Sequence, residues 1–286
     1  MTRIFEGLET VGLEHLAVAN GENHDAPAAK ITSEQHASPR EPDLLRPEDV
    51  QQYKWEPSPA TLVSLARRGA GVEQFRQLRS RLSGFRDEAP TKTVLISSGL
   101  PEEGKTFVTA NLALSLGRNG EKNILLIDGD LRRPRLHELL GAPNRIGLVD
   151  YLSGSCGITE IMQRDNSFKT AGNGAANGIS NLTFISAGTC GDNAAELAAN
   201  HRMEQLIRCV SAHFDWILID ASPVLVVTDA VDLARAADAV LLVARAGITK
   251  YEDAQRTKSA FGNTRVLGTV LNAARGVQHR AYYYNY

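Results

Sequence analysis

The sequence has few cysteines, no long apolar run and no excess of charge of either sign. Its three cysteines have neither an even count nor C-x-x-C spacing, so a disulfide framework or a structural zinc site is not expected. No apolar stretch approaches the roughly 18–20 residues that span a bilayer, and residues 1–15 lack the continuous apolar core of a signal peptide. The 31 basic and 33 acidic side chains leave a net charge of −2, which disfavours a nucleic-acid partner. These absences favour a cytoplasmic globular protein.

The first 60 residues differ in composition from the rest of the chain. Four apolar residues fall near one face of a short predicted helix: Ile4, Phe5, Leu8 and Val11. Residues 19–60 are rich in Asn, Ala, Ser, Pro and acidic residues and show no sustained period, which is typical of a linker or a disordered arm. We therefore predict an N-terminal arm over residues 1–60. Composition leaves open whether the arm is a free tail or docks on a partner.

From about residue 71 onward, short apolar runs alternate with helical patterns. An amphipathic helix comes first, with apolar residues at spacings of three and four: Val72, Phe75, Leu78, Leu82 and Phe85. Six strand-like runs follow, at residues 93–97, 124–127, 182–185, 216–219, 239–243 and 266–271. Apolar strands that alternate with helices predict an α/β fold, with a mostly parallel sheet covered by helices on both faces. The predicted domain covers residues 61–275, with a surface loop at 166–181 and a tail at 276–286.

The segment between the first strand and the next helix has the pattern of a phosphate-binding loop. Residues 99–106 read GLPEEGKT and match G-x-x-x-x-G-K-[ST] at every required position. Glycines let successive backbone N–H groups point inward, and the helix N-terminus adds a partial positive charge. Lys105 is expected to reach the β- and γ-phosphates, and the Thr106 hydroxyl is expected to bind Mg²⁺. The sequence therefore predicts a P-loop nucleotide site.

Three aspartates follow two of the predicted strands. Asp128 and Asp130 come after the run at 124–127, and Asp220 follows the run at 216–219. Ligands bind at the carboxyl ends of strands in an open α/β sheet. Carboxylates beside a triphosphate repel it unless a divalent cation is present, and Mg²⁺ takes one or two carboxylates together with phosphate oxygens. These residues support a Mg²⁺–nucleotide site.

Tyrosines are concentrated at the end of the sequence. Four of the seven lie beyond the last predicted strand: Tyr282, Tyr283, Tyr284 and Tyr286. Large aromatic side chains on a polar tail add nothing to a core. Either the tail docks on its own domain or a neighbour, or these hydroxyls are phosphoryl acceptors.

Taken together, residues 72–286 resemble the bacterial tyrosine kinases (BY-kinases) of capsule and exopolysaccharide synthesis. The resemblance rests on the GLPEEGKT loop, IDGDLRRPRLHELLG, FDWILIDASPVLVVTDA, VLGTVLNAA and the tyrosine tail. It implies Walker A residues around Lys105, a second motif with Asp128 and Asp130, and Asp220 as the Walker B aspartate. One departure concerns Glu102, which replaces a glycine of the family loop. Leu100 stands where partitioning ATPases carry an extra lysine, which argues against that group.

The resemblance assigns roles to individual residues. It implies nucleotide contacts from Gly99, Glu103, Gly104, Lys105, Thr106, Phe107 and Asn272. Mg²⁺ would be held by Thr106, Asp130 and Asp220, and catalysis carried by Lys105, Asp128 and Asp130. Asp128 is the preferred general base, because a tyrosine with a pKa of about 10 is a poor nucleophile unaided. Asn272 resembles the residue that reads the adenine edge in related ATPases; the alternative is an ordinary strand-end turn residue.

The resemblance also implies an activity and an assembly. It implies an ATP- and Mg²⁺-dependent, non-membrane-spanning protein-tyrosine kinase that phosphorylates its own tail and controls polysaccharide polymerisation or export. Glu73, Arg76 and Arg79 would contact a neighbour in a homo-oligomeric ring, or form a solvated charged face. Expected partners are a separate membrane activator of the chain-length-determinant type, which recruits the cytoplasmic chain to the plasma membrane, and a tyrosine phosphatase. The alternative is a nucleotide-gated regulatory or assembly ATPase without kinase chemistry.

Overall fold

The computed structural model describes residues 3–5 (backbone only), 50–118, 120, 122–166, 179–189, 191 and 193–274. The strands in these ranges are β1 Arg3–Phe5, β2 Gln51–Tyr53, β3 Thr93–Ser98, β4 Ile124–Gly129, β5 Met162–Asp165, β6 Leu182–Ile185, β7 Trp216–Ala221, β8 Ala239–Arg245 and β9 Val266–Asn272. The α-helices are α1 Ala70–Glu88, α2 Lys105–Gly117, α3 Leu136–Leu140, α4 Leu148–Leu152, α5 Ile158–Ile161, α6 Ala194–Ala198, α7 Arg202–Val210, α8 Asp229–Leu233 and α9 Tyr251–Ala260. Short 3-10 turns lie at Val63–Leu65 and Ala234–Ala236.

The described strands form one mostly parallel sheet in the order β1-β9-β8-β3-β7-β4-β6-β5-β2. The pairs β3/β7, β3/β8, β4/β6, β4/β7, β8/β9 and β2/β5 are parallel. Only two described pairs, β1/β9 and β5/β6, are antiparallel. All six strands predicted from apolar runs are present, and the predicted α/β fold class is confirmed.

Alternate residues of the central strands build a core on each face of the sheet. Ile124 and Leu126 of β4 belong to the core under α1 and α2, whereas Leu125 and Ile127 belong to the core on the opposite face. Residues on both faces are fully buried, as expected for a parallel sheet covered twice. Strands β3, β7 and β4 are neighbours in this sheet. Their ends therefore lie side by side at one edge, where the predicted site residues are found.

The structure corrects the prediction for the N-terminal residues. Residues 3–5 are a strand that pairs antiparallel with β9, not the start of a helix; residues 6–49 lie outside the described part of the chain. Residues 50–60 are not a linker, because β2 pairs with β5 and Trp55 is only 2% exposed. The Trp55 ring packs edge to face on Phe184 at 6.0 Å, and its backbone N–H donates to Asp165. The burial of one aromatic side chain, Trp55, therefore shows that this segment is folded, although its polar composition had predicted a linker.

Several further elements were not predicted. Strand β5 and helices α4, α5 and α9 are short or polar, so their apolar periodicity is weak. Most of the predicted surface loop, residues 167–178, lies outside the described ranges, as does the tail from residue 275. Among the helices that are described, none is long and apolar enough to cross a bilayer.

Candidate active site

The phosphate loop connects β3 to α2 through two residues with positive φ. Gly104, at φ 91°, immediately precedes α2, and Glu102 has φ 63°. A side chain at position 104 would collide with the Asn272 amide group, so this position needs glycine. Glu102 adopts the left-handed conformation despite its side chain, which costs roughly 1–2 kcal/mol. The positive φ at position 102 therefore explains why the family loop has a glycine where this chain has Glu102.

Side chains at the ends of β8 and β9 hold the loop from outside. The Glu103 side chain is buried and accepts hydrogen bonds from the Leu100 N–H at 2.8 Å and from the Thr249 hydroxyl. Arg245 donates to the Glu102 carbonyl at 3.2 Å, and Asn272 Nδ2 donates to the Glu103 carbonyl at 3.0 Å. Both Glu103 and Asn272, predicted to contact nucleotide, thus use their side chains to brace the loop.

Lys105 lies at the centre of a cluster of buried carboxylates. Its Nζ is 2.7 Å from Asp130 Oδ2 and 3.7 Å from Asp220 Oδ2, and it donates to Thr106 Oγ1 at 3.2 Å. Asp130 Oδ1 accepts the Arg133 N–H, and Asp220 Oδ1 accepts the Thr109 hydroxyl at 3.2 Å. The fold therefore brings together the predicted lysine, threonine and aspartates.

Asp128 lies on the same edge, directly opposite Asp220 in the β4/β7 register. It is fully buried, and its Oδ2 accepts the N–H of Leu136 at the start of α3 at 3.0 Å. Its Oδ1 has no hydrogen-bond partner among the described residues, and neither has Asp220 Oδ2, whose nearest cation is Lys105. Buried carboxylate oxygens without partners are costly, so these two oxygens are suited to interact with a cation.

The pKa shifts of these groups follow from their burial and from the charges beside them. Burial raises the pKa of Asp128 well above its ordinary value, and Asp220 and Asp130 add to the rise. Burial also raises the pKa of Asp220, against the effects of Lys105 and Thr106. Burial by itself lowers the pKa of Lys105, but Asp220 and Asp130 outweigh it and raise the pKa overall. Lys105 is thus firmly charged, and one ammonium does not balance three carboxylates.

This donor set fits Mg²⁺ bound together with a nucleotide. In the described ranges, no three acidic, histidine or cysteine side chains are arranged to hold a metal by themselves. Mg²⁺ usually binds through one or two carboxylates plus phosphate oxygens and waters. Thr106, Asp130 and Asp220 could supply the protein part of such a site.

Four other residues that were predicted to take part in binding or assembly contact helices α9 and α1 or lie on α1. Gly99 packs against Thr257 of α9, and Phe107 of α2 packs on Phe75 of α1 with ring centroids 5.8 Å apart. Glu73 and Arg76 are exposed and pair with each other at 2.6 Å, about a turn apart on α1.

Arg79 differs from the other two residues of the predicted interface. Its guanidinium donates to the Ser115 carbonyl on α2 at 2.7 Å, and burial, Arg76 and Arg118 lower its pKa. Arg79 therefore joins α1 to α2 within the chain. The four tail tyrosines lie outside the described residues.

Sequence reasoning missed three side chains that complete the site. Thr109 is four residues after Lys105, so helical spacing alone could have placed it on the same face. Thr249 and Arg245 could not have been found in this way, because their contacts with the loop join segments more than 140 residues apart.

Fold and site together define a P-loop nucleotide-binding protein. No family model matches the chain. The tyrosine-protein kinase YwqD of Bacillus subtilis is 31% identical over 214 residues, which are 74% of this chain and 85% of that protein. The tyrosine-protein kinase Wzc of Salmonella typhimurium is 34% identical over 218 residues, covering 74% of this chain and 28% of that protein.

Solved structures agree with these relatives. The kinase domain of the Escherichia coli tyrosine kinase ETK has a TM-score of 0.63 and 31% identity, covering 75% of this chain and 80% of that structure. The BceF tyrosine kinase domain has a TM-score of 0.63 and 29% identity, covering 73% and 80%. The chain belongs to the bacterial tyrosine-protein kinase family. It spans only about a quarter of the length of several relatives, including the putative tyrosine-protein kinase AmsA of Erwinia amylovora, at 26%.

Proposed function

We propose that this protein is an ATP-dependent tyrosine autokinase that phosphorylates Tyr282, Tyr283, Tyr284 and Tyr286. The observation that carries the proposal is the convergence of Lys105 with three buried carboxylates at the end of a complete phosphate loop. Two carboxylate oxygens there have no hydrogen-bond partner among the described residues, and one of them is on Asp128, the proposed proton acceptor. A tail rich in phenols supplies the acceptors.

Nucleotide binding would rearrange the pairing around Lys105. The backbone N–H groups before α2 would bind the phosphates, and Lys105, which here pairs with Asp130, would contact the transferring phosphoryl group. Thr106, Asp130 and Asp220 would hold Mg²⁺, which would neutralise charge on the phosphate oxygens. Gly99, Gly104 and Phe107 shape the same binding site, and Glu103 and Asn272 keep the loop in its conformation.

Asp128 is proposed as the general base. Its Oδ2 is fixed by the Leu136 N–H, so Oδ1 is the atom free to accept the phenol proton. Burial raises the pKa of Asp128, so this carboxylate, when ionised, is a stronger base than an ordinary aspartate. The tyrosine oxygen would then form a bond to the γ-phosphorus of ATP while the bond from that phosphorus to the β–γ bridging oxygen breaks, and ADP would leave.

The direct test is incubation of the purified protein with ATP and Mg²⁺, followed by mass spectrometry of the tail. We expect phosphotyrosine within residues 282–286 and none in the Lys105→Met variant. A variant with phenylalanine at all four tail positions should bind ATP normally but incorporate no phosphate there. Absence of tail phosphotyrosine, with or without a membrane activator, would remove the kinase proposal.

The proposed role is control of polysaccharide polymerisation or export. The resemblance to kinases of capsule and exopolysaccharide synthesis supports a membrane activator that recruits the present chain to the inner face of the plasma membrane, with a phosphatase that reverses the modification. Deleting residues 281–286 should leave ATP binding intact and alter polymer output, measured as secreted polysaccharide; unchanged output would count against this role.

Glu102 favours a second candidate, a nucleotide-gated regulatory ATPase without kinase chemistry. Its side chain places a negative charge in the phosphate loop, and its backbone adopts a conformation unfavourable for a non-glycine residue. This candidate predicts ADP release from ATP with no transfer to tyrosine. Measuring both products in one reaction distinguishes the two functions.

A further inference from the structure

The loop between β4 and α3 carries a basic run whose first arginine is held in place. Residues 132–135 read RRPR and begin two positions after Asp130. The guanidinium of Arg132 forms two hydrogen bonds with the carboxylate of Asp229: Nε donates to Oδ2 at 2.7 Å, and Nη2 donates to Oδ1 at 3.3 Å. Paired bonds of this kind fix the orientation of both groups as well as their distance.

The two partners of this ion pair differ in burial. Asp229 is the first residue of α8, and its side chain is only 1% exposed, whereas the side chain of Arg132 is 41% exposed. Removing the cation from a buried carboxylate is strongly unfavourable. The ion pair is therefore a firm connection between the β4–α3 loop and the start of α8.

The β4–α3 loop holds two aspartates of the candidate active site through its backbone. The N–H of Arg133 donates to Asp130 Oδ1 at 3.1 Å, and the N–H of Leu136 donates to Asp128 Oδ2 at 3.0 Å. Both donors follow Arg132 in the same short segment. The orientation of the two carboxylates therefore depends on where this loop lies.

The segment that leads from β7 to α8 carries the third aspartate and contacts the phosphate loop. Asp220 lies in β7. After it, the N–H of Val224 donates to the Ser98 carbonyl at 2.9 Å, and the N–H of Leu225 donates to the Gly99 carbonyl at 3.1 Å. The ion pair thus joins the loop that holds two aspartates to the segment that carries the third.

Packing of the strands fixes β4 only as far as its last residue. A Cβ atom added at Gly129 would lie 2.9 Å from the Asp220 carbonyl oxygen and 3.1 Å from Leu233 Cδ1 of α8. The end of β4 is therefore fitted closely against β7 and α8. Asp130 lies one residue beyond this contact, so its position depends on the loop that follows.

We propose that Arg132 is a positioning residue for the cation site. Through Asp229 it holds the β4–α3 loop so that Asp130 and Asp220 can bind one Mg²⁺ together. Mg²⁺ demands nearly ideal octahedral geometry, so its binding is sensitive to the displacement of a single ligand. The inference rests on the Mg²⁺–nucleotide site of the proposed function, but it does not depend on transfer to tyrosine.

ADP binding with and without Mg²⁺ tests the proposal. Isothermal titration of the full chain gives both dissociation constants, and their ratio measures how much the cation contributes to binding. Arg132→Ala should lower this ratio at least about fivefold. It should leave the affinity without Mg²⁺ nearly unchanged, because the phosphate loop is intact. Arg135→Ala, which removes an exposed arginine from the same loop, is the matched control and should leave the ratio unchanged.

A double-mutant cycle shows whether Arg132 acts through the ion pair. Asp229→Asn keeps the size of the side chain but removes its charge, so it should lower the ratio as much as Arg132→Ala, and the double variant should lower it no further. An effect of Arg132→Ala that Asp229→Asn does not reproduce would overturn the proposal. Arg132→Lys keeps the charge but cannot form the same paired bonds, and its intermediate ratio provides the test if the alanine variant does not fold.

Thermal unfolding of the same variants distinguishes positioning from a purely structural role. A lower melting temperature with an unchanged ratio would show that the ion pair only stabilises the fold, and this would overturn the proposal. A wild-type chain whose ADP affinity does not respond to Mg²⁺ would overturn the cation site together with the inference. A wild-type chain that responds to Mg²⁺ but forms no tail phosphotyrosine would overturn the kinase proposal alone.

Discussion

At the scale of single residues, the phosphate loop carries a strain that its sequence alone does not reveal. Glu102 has φ 63°, in the region where only glycine is free of a steric penalty. Its carbonyl is held by Arg245 and its neighbour Glu103 by Thr249. The surrounding contacts thus maintain a backbone conformation that the residue itself disfavours.

Glu102→Gly should stabilise the protein by about 1 kcal/mol, because the strain of a left-handed non-glycine residue is removed. The measurement is urea unfolding of the nucleotide-free protein. Glu102→Ala removes the charge but keeps the Cβ atom, so it should leave the free energy of unfolding nearly unchanged. Equal stabilisation by both variants would instead make charge, not backbone strain, the cause.

Asp128→Asn should raise the stability of the metal-free protein at pH 7.5 and abolish autophosphorylation. The pKa of Asp128 is raised in the folded state, mainly by burial and then by Asp220. The folded state therefore binds this proton more tightly than the unfolded state, and stability falls as pH rises from about 4 through the raised pKa.

Thermal unfolding at pH 5 and pH 7.5 checks this sign. The gain in melting temperature of Asp128→Asn over the wild type should be larger at pH 7.5 than at pH 5. A gain that is larger at the lower pH would contradict the inferred direction of the pKa shift.

At the scale of elements, the site depends on strands whose ends brace the loop. The hydroxyl of Thr249, after β8, accepts the Arg245 N–H at 2.8 Å and donates to Glu103. Asn272, at the end of β9, donates to the Glu103 carbonyl. Residues at the ends of β8 and β9 therefore position the phosphate loop, which follows β3.

Thr249→Val should weaken ATP binding about tenfold while leaving the fold intact, since it removes the hydroxyl donor of the buried Glu103 Oε1 and frees the loop. Isothermal titration with ATP and Mg²⁺ measures the affinity. Thr249→Ser keeps the hydroxyl and should restore it. If the serine and valine variants bind ATP equally, the hydroxyl does not position the loop.

Trp55→Ala should destabilise the domain by about 3–5 kcal/mol, because a nearly fully buried indole that packs on Phe184 is lost. Chemical unfolding measures the loss, and Lys54→Ala, next to it and exposed, is the control. An effect below about 1 kcal/mol would show that residues 50–60 contribute little to the fold.

At the scale of the whole molecule, the exposed face of α1 is the proposed contact between copies. Glu73 and Arg76 are each about half exposed and pair with each other, whereas Arg79 is used within the chain. Only the first two are therefore suited to reach a neighbour, and they can be changed without disturbing the contact between α1 and α2.

Arg76→Glu should raise the dissociation constant of the assembly at least about tenfold, because it places like charges at the contact. Light scattering over a range of concentrations measures the mass of the particles. The double variant Glu73→Arg with Arg76→Glu restores charge balance within one chain and separates a local effect from one between copies. An unchanged mass in Arg76→Glu would exclude this face as the interface.

The sequence by itself determined the six central strands, the phosphate loop and the aspartates of the site. These features depend on short-range patterns: apolar runs, a fixed spacing of glycine and lysine, and the position of acids directly after strands. Because parallel strands end at the same edge, their order along the chain was sufficient to predict that these residues meet.

Only the tertiary structure decided the role of residues whose partners are distant in sequence. It joined Trp55 to the core, turned Arg79 toward α2, and directed Glu103 and Asn272 to brace the phosphate loop. Each outcome depends on which particular side chains meet, and periodicity indicates that a face is buried but not which distant residue it contacts.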